Sequence, residues 1–213
     1  MISFIGGTGP EGRGLALRFA LSGEKVFLGS RKQERGEEVA SSVEELVEIE
    51  VQGGTNKQAA QSGEIIIVAT PYDGHKETLN SLSNELHGKI IVDVVAPLTF
   101  SNGRISSTPV EEGSAAVQAQ QILPNSRVVG AFHNISATDL LVPHKPIDSD
   151  VIVCSDDDEA KKYVIDLSEK IEGIRGIDGG KLENSKYSEE LTALLLNINK
   201  IYKAHSSIRI TGI

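Results

Sequence analysis

The chain has 213 residues, 39% hydrophobic and 24% charged, with a formal net charge of −9. That suffices for a real core in one large domain, or one and a half ordinary ones. No apolar run approaches the ~20 residues that span a bilayer, no signal-peptide pattern opens the chain, and the acidic balance argues against a nucleic-acid surface.

The elements follow in order. ISFIGG reads as a short apolar strand, and GRGLALRFALSG as a helix closed by Gly23. KVFLGS is a second strand, residues 32–47 a charged surface helix, and EIEVQG a weak third strand. Thr55 and Asn56 cap a short helix through Ser62. EIIIVATP and KIIVDVVAP are continuous apolar strands, as central parallel positions require, with the helix HKETLNSLSNEL between them. Residues 97–113 read as a polar loop, GSAAVQAQQIL as a helix, and RVVGAFHNIS as a strand entering a turn. Beyond residue 138 come a proline-containing connection, the strand and helix of VIVCSDDDEAKKYVIDLSEKI, a short strand in GIRGIDGG, and a long helix over 184–204. On that helix Tyr187, Leu191, Leu194, Leu195, Ile198, Ile201 and Tyr202 form one apolar stripe, consistent with a cofactor lid or a subunit interface. The alternation predicts an α/β doubly wound parallel sheet of the Rossmann type over residues 1–137, with a small C-terminal lobe over 138–213.

Cys154, the one cysteine, excludes an internal disulfide framework and fits a reducing cytoplasm. It lies in the apolar run VIVC and reads as core, the other reading being a redox thiol. Residues 191–213 hold Lys200, Lys203 and Arg209 and no acid, which suits either plain solubility or an anionic ligand near the C-terminus.

Gly7-Thr8-Gly9-Pro10-Glu11-Gly12 follows a strand and opens a helix, the context that makes GxGxxG a dinucleotide signal. Gly7 would permit the tight turn, Gly9 the approach of a pyrophosphate, and Gly12 close packing of helix on strand. The free N–H groups of the helix start meet the phosphate charge. An NAD protein usually ends its second strand with a carboxylate for the ribose, ~20 residues beyond the loop. Here that place reads Gly29-Ser30-Arg31-Lys32, with Arg35 one turn on. A hydroxyl and guanidinium groups hold a 2′-phosphate that a carboxylate would repel, so the residues select NADP(H). Thr70 and Pro71, with Ala96 and Pro97, end the two most apolar strands and are expected along the cofactor path. His75 follows the first of these loops, as a phosphate ligand or as a surface or capping residue.

A carbonyl reductase needs an acid to protonate the oxygen. No Tyr-x-x-x-Lys follows Tyr187. His133 ends a central strand and reads as an acid, a ring-positioning donor or a satisfied polar turn residue. The residues alone therefore stop at an NADP-dependent oxidoreductase.

Over nearly its whole length the chain resembles the NADPH-dependent reductases of coenzyme F420, an 8-hydroxy-5-deazaflavin hydride carrier of methanogens and some other microbes. The resemblance rests on GGTGPEGRGLALRFALSGEKVFLGSR, FHNISATDLL, SDDDEAKKYVIDLSEKIEGIRGIDGGKLENS and LTALLLNINK. It implies direct hydride exchange between nicotinamide and deazaflavin, with no catalytic acid, triad or metal. It implies NADP contacts at Thr8, Gly9, Pro10, Glu11, Ser30, Arg31 and Arg35, with Ala96 and Ala137 near the nicotinamide. The deazaflavin pocket would use His133, Asn134, Ile135, Lys186, Thr192 and Leu195, with Ser206, Ser207 and Ile208 covering it. Leu195 also reads as plain core. HNIS, Lys186 and Glu190 stand where some members have HTIP, Arg and a small polar residue. The anionic deazaflavin would give Lys186, Lys200, Lys203 and Arg209 a purpose. Small-molecule partners, a homodimer and a cytoplasmic location are expected. The rival readings are an NADPH-dependent flavin or ferric reductase and a non-catalytic NADP-sensing module.

Overall fold

The computed structural model describes residues 1–47 and 49–213. The order is β1 (Ile2–Ile5), α1 (Pro10–Leu21), β2 (Val26–Ser30), α2 (Gln33–Val47), β3 (Val51–Thr55), α3 (Asn56–Ser62), β4 (Ile65–Val68), α4 (Tyr72–Ser81), α5 (Ser83–Leu86) and β5 (Ile90–Asp93). There follow β6 (Leu98–Ser101), β7 (Arg104–Ser107), α6 (Ala115–Ile122), β8 (Arg127–Gly130), α7 (Ala137–Leu140), β9 (Ser149–Ser155), α8 (Asp158–Ser168), β10 (Ile174–Asp178) and α9 (Ser185–Tyr202). A 3-10 turn, Leu182–Asn184, leads into α9.

Eight strands form one sheet in the order β10-β9-β8-β5-β4-β1-β2-β3. The six from β3 to β8 run parallel; β9 pairs antiparallel with β8, and β10 parallel with β9. The expected boundary at 137/138 falls at the start of α7, and the sheet continues past it. The centre is apolar on both faces, as a parallel sheet covered by helices requires. In β4, Ile65 and Ile67 join a core with α1, α2 and α8, while Ile66 and Val68 join one with α4 and α6.

Local chemistry sets the element ends. Thr55 caps α3 by accepting from the Gln58 N–H at 3.2 Å, and Gln58 answers from its side chain to the Thr55 N–H at 2.7 Å. Asp157 caps α8 through the Ala160 N–H at 2.7 Å. Cys154 is fully buried, and burial pushes its thiol up to about 11, which leaves it core rather than a reactive thiolate.

Several expectations are corrected. Residues 97–113 are not all loop: β6 and β7 form an antiparallel hairpin against α9. The helix expected over 75–86 begins earlier and breaks into α4 and α5. The third strand is shifted to Val51–Thr55, and Glu48 of its expected start lies outside the described residues. The inward face of α9 carries Ser185, Ser188, Glu189, Ala193 and Leu195, whereas Tyr187, Leu194, Ile201 and Tyr202 of the apolar stripe are exposed.

Candidate functional site

The carboxyl ends of β1, β4, β5 and β8 converge on one cleft of about 500 Å³, closed on its far side by α9 and the C-terminal tail. This is where ligands sit in a doubly wound sheet. Its walls include Glu11, Thr70, Pro71, Ala96, His133, Asn134, Ile135, Ala137, Thr192, Leu195 and Ser206. All eleven were expected from the sequence.

The glycine loop forms one end. Gly6, at φ +71°, is the residue that takes the left-handed turn, so that role passes from Gly7 to its neighbour. A Cβ on Gly7 would lie 2.6 Å from that of Phe4, and one on Gly12 only 2.7 Å from the Gly7 Cα. Both glycines are therefore needed for close packing of α1 on β1. A Cβ on Gly9 would meet nothing within 4 Å, which leaves its backbone open to a ligand. Asn56, read from the sequence as a helix cap, instead pins the loop by accepting the Gly6 N–H at 3.0 Å. The loop adjoins β2 through Gly7 N–H donating to Gly29 O at 3.0 Å. Ser30 ends that strand; Arg31 beside it is exposed and makes no ion pair among the described residues. Arg35 is exposed and pairs with Glu38 at 2.8 Å.

The opposite wall is built by strain. Phe132 is fully buried at φ +66°, a conformation that bulky residues rarely adopt and that costs on the order of 1–3 kcal/mol. Its ring packs edge-on against Phe19, centroids 6.0 Å apart. This turn delivers His133 and Asn134 to the cleft. His133 Nδ1 lies 2.9 Å from Ser188 Oγ, and Thr192 Oγ1 donates to the His133 carbonyl at 2.8 Å. Burial pushes His133 down to about 4, although Asp93 opposes the shift. The imidazole is therefore neutral at pH 7, with one ring N–H but no imidazolium proton to give as an acid. Asn134 donates to Asp150 O at 2.7 Å.

Four buried polar atoms on the cleft residues have no protein partner: Glu11 Oε1, Thr70 Oγ1, His133 Nε2 and Asn134 Oδ1. Unpaired buried polar atoms are costly and normally rare. The same cleft is lined by the apolar Val94, Val95, Ile135, Leu195 and Leu196, a mixture that suits a large ligand with both flat apolar and hydrogen-bonding parts.

Other expected residues lie elsewhere. His75 is fully buried, its Nε2 2.6 Å from Asp93 Oδ2 and its Nδ1 3.2 Å from Gln118 Oε1. Both nitrogens are occupied, so it is not a phosphate ligand. Pro97 and Lys186 line a separate recess with Glu189 and Glu190, not the cleft. Arg209 is held by Asp148 and Asp150 and is not an uncommitted cation, whereas Lys200 is exposed, donates to the Gly103 carbonyl and pairs with no acid among the described residues. Ser207 bonds Ser149 instead of lining the cleft; Ser206 lines it, its N–H donating to Asn199 Oδ1. Glu189, also missed, accepts the Ala115 and Ala116 N–H groups at 2.8 and 3.1 Å; burial pushes it up to about 8 against their pull.

Residues 1–97 match the family model described as NADP oxidoreductase, coenzyme F420-dependent. The chain is 41% identical over 222 aligned positions to the F420-dependent NADP reductase of Methanocaldococcus jannaschii, covering all of this chain and 98% of that protein. The chain belongs to the F420-dependent NADP reductases. Its counterpart in Methanothermobacter thermautotrophicus is 39% identical, with 100% and 95% coverage. A crystal structure assigned to an F420-dependent NADP reductase of Arthrobacter sp. FB24 superposes with a TM-score of 0.86 at 25% identity, covering 99% of each chain. No helix among the described residues of this F420-dependent reductase is long and apolar enough to cross a membrane.

Proposed function

We propose that the cleft takes NADP(H) at its glycine-loop end and coenzyme F420 against α9, and that hydride passes directly between them. The chain is an NADP-dependent oxidoreductase of coenzyme F420. The observation that carries the site assignment is that four residues lining one largely apolar cleft, Glu11, Thr70, His133 and Asn134, each hold a buried polar atom without a protein partner. When bound, the two carriers supply the redox chemistry, and the protein supplies position.

The α1 N-terminus and the bare backbone at Gly9 receive the pyrophosphate, while Ser30 and Arg31 receive the 2′-phosphate. Val94, Val95 and Ala96 form the floor for the nicotinamide. Ile135, Thr192 and Leu195 hold the deazaflavin, and Ser206 closes it from the tail. Direct transfer needs reacting carbons about 3–3.5 Å apart and little water. It needs no protein acid, which suits a neutral His133. His133 Nε2 and Asn134 Oδ1 orient a ring by hydrogen bonding.

A homodimer through α9 is part of this reading. Tyr187, Leu194 and Ile201 recur every seven residues and are 69%, 56% and 72% exposed, a stripe suited to a second copy. A reduced, buried Cys154 suits a cytoplasmic setting. The assay is oxidation of NADPH with deazaflavin or with flavin as acceptor. The reading expects loss of the deazaflavin absorbance band and little turnover with flavin; comparable rates with both would overturn it.

A further inference from the structure

His75 lies behind the cleft rather than in it, and two stretches of the cleft wall rest on it. From α4 its Nε2 reaches Asp93 Oδ2 at 2.6 Å, both side chains fully buried. Asp93 ends β5, and its other carboxyl oxygen accepts the Val95 N–H at 3.0 Å. Val94, Val95 and Ala96, the floor assigned to the nicotinamide, follow it directly and line the cleft. The Asp93 main-chain oxygen accepts the Ala131 N–H at 3.1 Å, just before the turn that delivers His133. On its other side the His75 ring packs against that of Tyr72, a cleft-wall residue, with centroids 6.2 Å apart.

The partners of His75 fix its protonation. Glu112, paired with Lys76 at 3.6 Å, accepts from Gln118 Nε2 at 3.0 Å. A carboxylate can only accept, so the Gln118 amide turns its nitrogen to Glu112 and its Oε1 to His75 Nδ1, at 3.2 Å. Nδ1 therefore carries a hydrogen. A second hydrogen lies in the 2.6 Å contact between Nε2 and Asp93, since two bare acceptors would repel each other there. The pair is an imidazolium against a carboxylate, without net charge, and both ring nitrogens of His75 are satisfied within the protein.

We infer that His75 is a positioning residue for the nicotinamide: acting through Asp93 and Val95, it sets where the cleft floor stands. A charge-assisted hydrogen bond is roughly twice as strong as a neutral one, and a satisfied buried network holds its members rigidly. Direct hydride transfer is sensitive to such placement, because a misplacement of about 1 Å can cost roughly a hundredfold in rate. The phosphates are anchored elsewhere, at α1 and Ser30, so affinity and ring placement are separable. The inference rests on the reading that the nicotinamide lies over Val94, Val95 and Ala96.

The test is H75L in the full protein, held well below its melting point. Its kcat with NADPH and deazaflavin should fall on the order of tenfold or more, while the Kd for NADPH changes little. The nicotinamide fluorescence of bound NADPH should move toward that of the free nucleotide. H75Q, whose Nε2 can still donate to Asp93, should recover most of both signals. A residue that only stabilised the fold would leave kcat and bound fluorescence at wild-type values. Such values in H75L, or an H75Q no better than H75L, overturn the inference. If H75L fails to fold, Q118L replaces it: losing only the Nδ1 partner, it should show the same split to a smaller degree, and wild-type behaviour there overturns the inference. Nitrogen-15 NMR of the nucleotide-free protein near pH 7 should show both His75 nitrogens protonated, and a neutral ring contradicts the account of the pair. Failure of the underlying reading is distinguishable: NADPH fluorescence unaltered on binding to the wild type would mean that the ring does not enter the cleft, and would remove the inference with it.

Discussion

Replacing His75 by leucine isolates the energetics of a buried pair behind the cofactor floor. His75 and Asp93 are both fully buried, 2.6 Å apart, and Asp93 Oδ1 also accepts the Val95 N–H at 3.0 Å. The pair therefore ties α4 to the segment that carries Val94, Val95 and Ala96. Removing the imidazole leaves a carboxylate with one oxygen bare in the core. Breaking a buried pair in this way costs roughly 3–5 kcal/mol, a large share of the about 5–15 kcal/mol that holds a domain together. At about 2–4 °C per kcal/mol for a chain of this size, H75L should melt roughly 6–20 °C lower. D93N added to H75L should recover part of that loss, since an unpaired amide costs less than an unpaired charge. The pH dependence has a definite sign. Burial alone would lower the His75 pKa, but the charge and hydrogen bond of Asp93 more than offset it, and the net shift is upward. A raised folded-state pKa gives stabilisation that is complete below the unfolded value, near 6.5, and is lost as pH rises through the folded value. The gap between wild type and H75L should therefore narrow in alkaline buffer. Thermal melts from pH 6 to 9 measure it. A melting point for H75L within 2 °C of wild type, or no recovery on adding D93N, would refute the reasoning.

Other outcomes follow from the same geometry. S30D/R31A should reduce the preference for NADPH over NADH by on the order of a hundredfold in kcat/KM, each lost charge-assisted contact being worth about 1.5–3 kcal/mol; steady-state rates with both nucleotides check it. G9V should fold normally, since its Cβ meets nothing within 4 Å, yet bind NADPH more than about tenfold more weakly by fluorescence titration. Asp150 receives bonds from Arg175, the Ile210 N–H and Arg209, and the Arg175 bonds chiefly hold its carboxyl well below the usual range. Its contribution is present above the unfolded value of about 3.9 and is lost as pH falls through the folded one. D150N should therefore release the tail at neutral pH, giving faster proteolysis beyond Lys203 and a several-fold higher KM for the deazaflavin.

The turn from β1 through the glycine loop into α1 was the most legible part of the sequence. A strand, a glycine loop and a helix start are local, and so is the Ser30-Arg31 step at the end of β2. The core strands IIIV and IIVD announced burial on both faces by composition alone. What escaped was set by contacts distant in sequence. His75 follows a cofactor-path loop in the chain, but Asp93 and Gln118, 18 and 43 residues away, turn it into the interior. Arg209 looked like an uncommitted cation until the tail folded back onto Asp150. The loop-pinning role of Asn56, read only as a helix cap, and the role of Glu189 were hidden because each bonds backbone donors across 50 or more residues, 56 to 6 and 189 to 115. The helix of α9 was legible from its spacing, but the exposure of Tyr187, Leu194, Ile201 and Tyr202 was not, because the hairpin of β6 and β7 against it was concealed by the polar composition of 97–113.

Direct transfer is tested by isotope tracing. NADPH carrying deuterium at the transferable position of its ring should deliver that deuterium intact to the deazaflavin carbon that accepts hydride in ordinary water, and unlabelled NADPH in deuterated water should deliver none. Mass spectrometry of the reduced deazaflavin reads both arms. Deuterium at that carbon drawn from the solvent, or label from NADPH lost before it arrives, would mean that a protein group or water handles the hydrogen, contrary to two rings held against each other in a dry cleft.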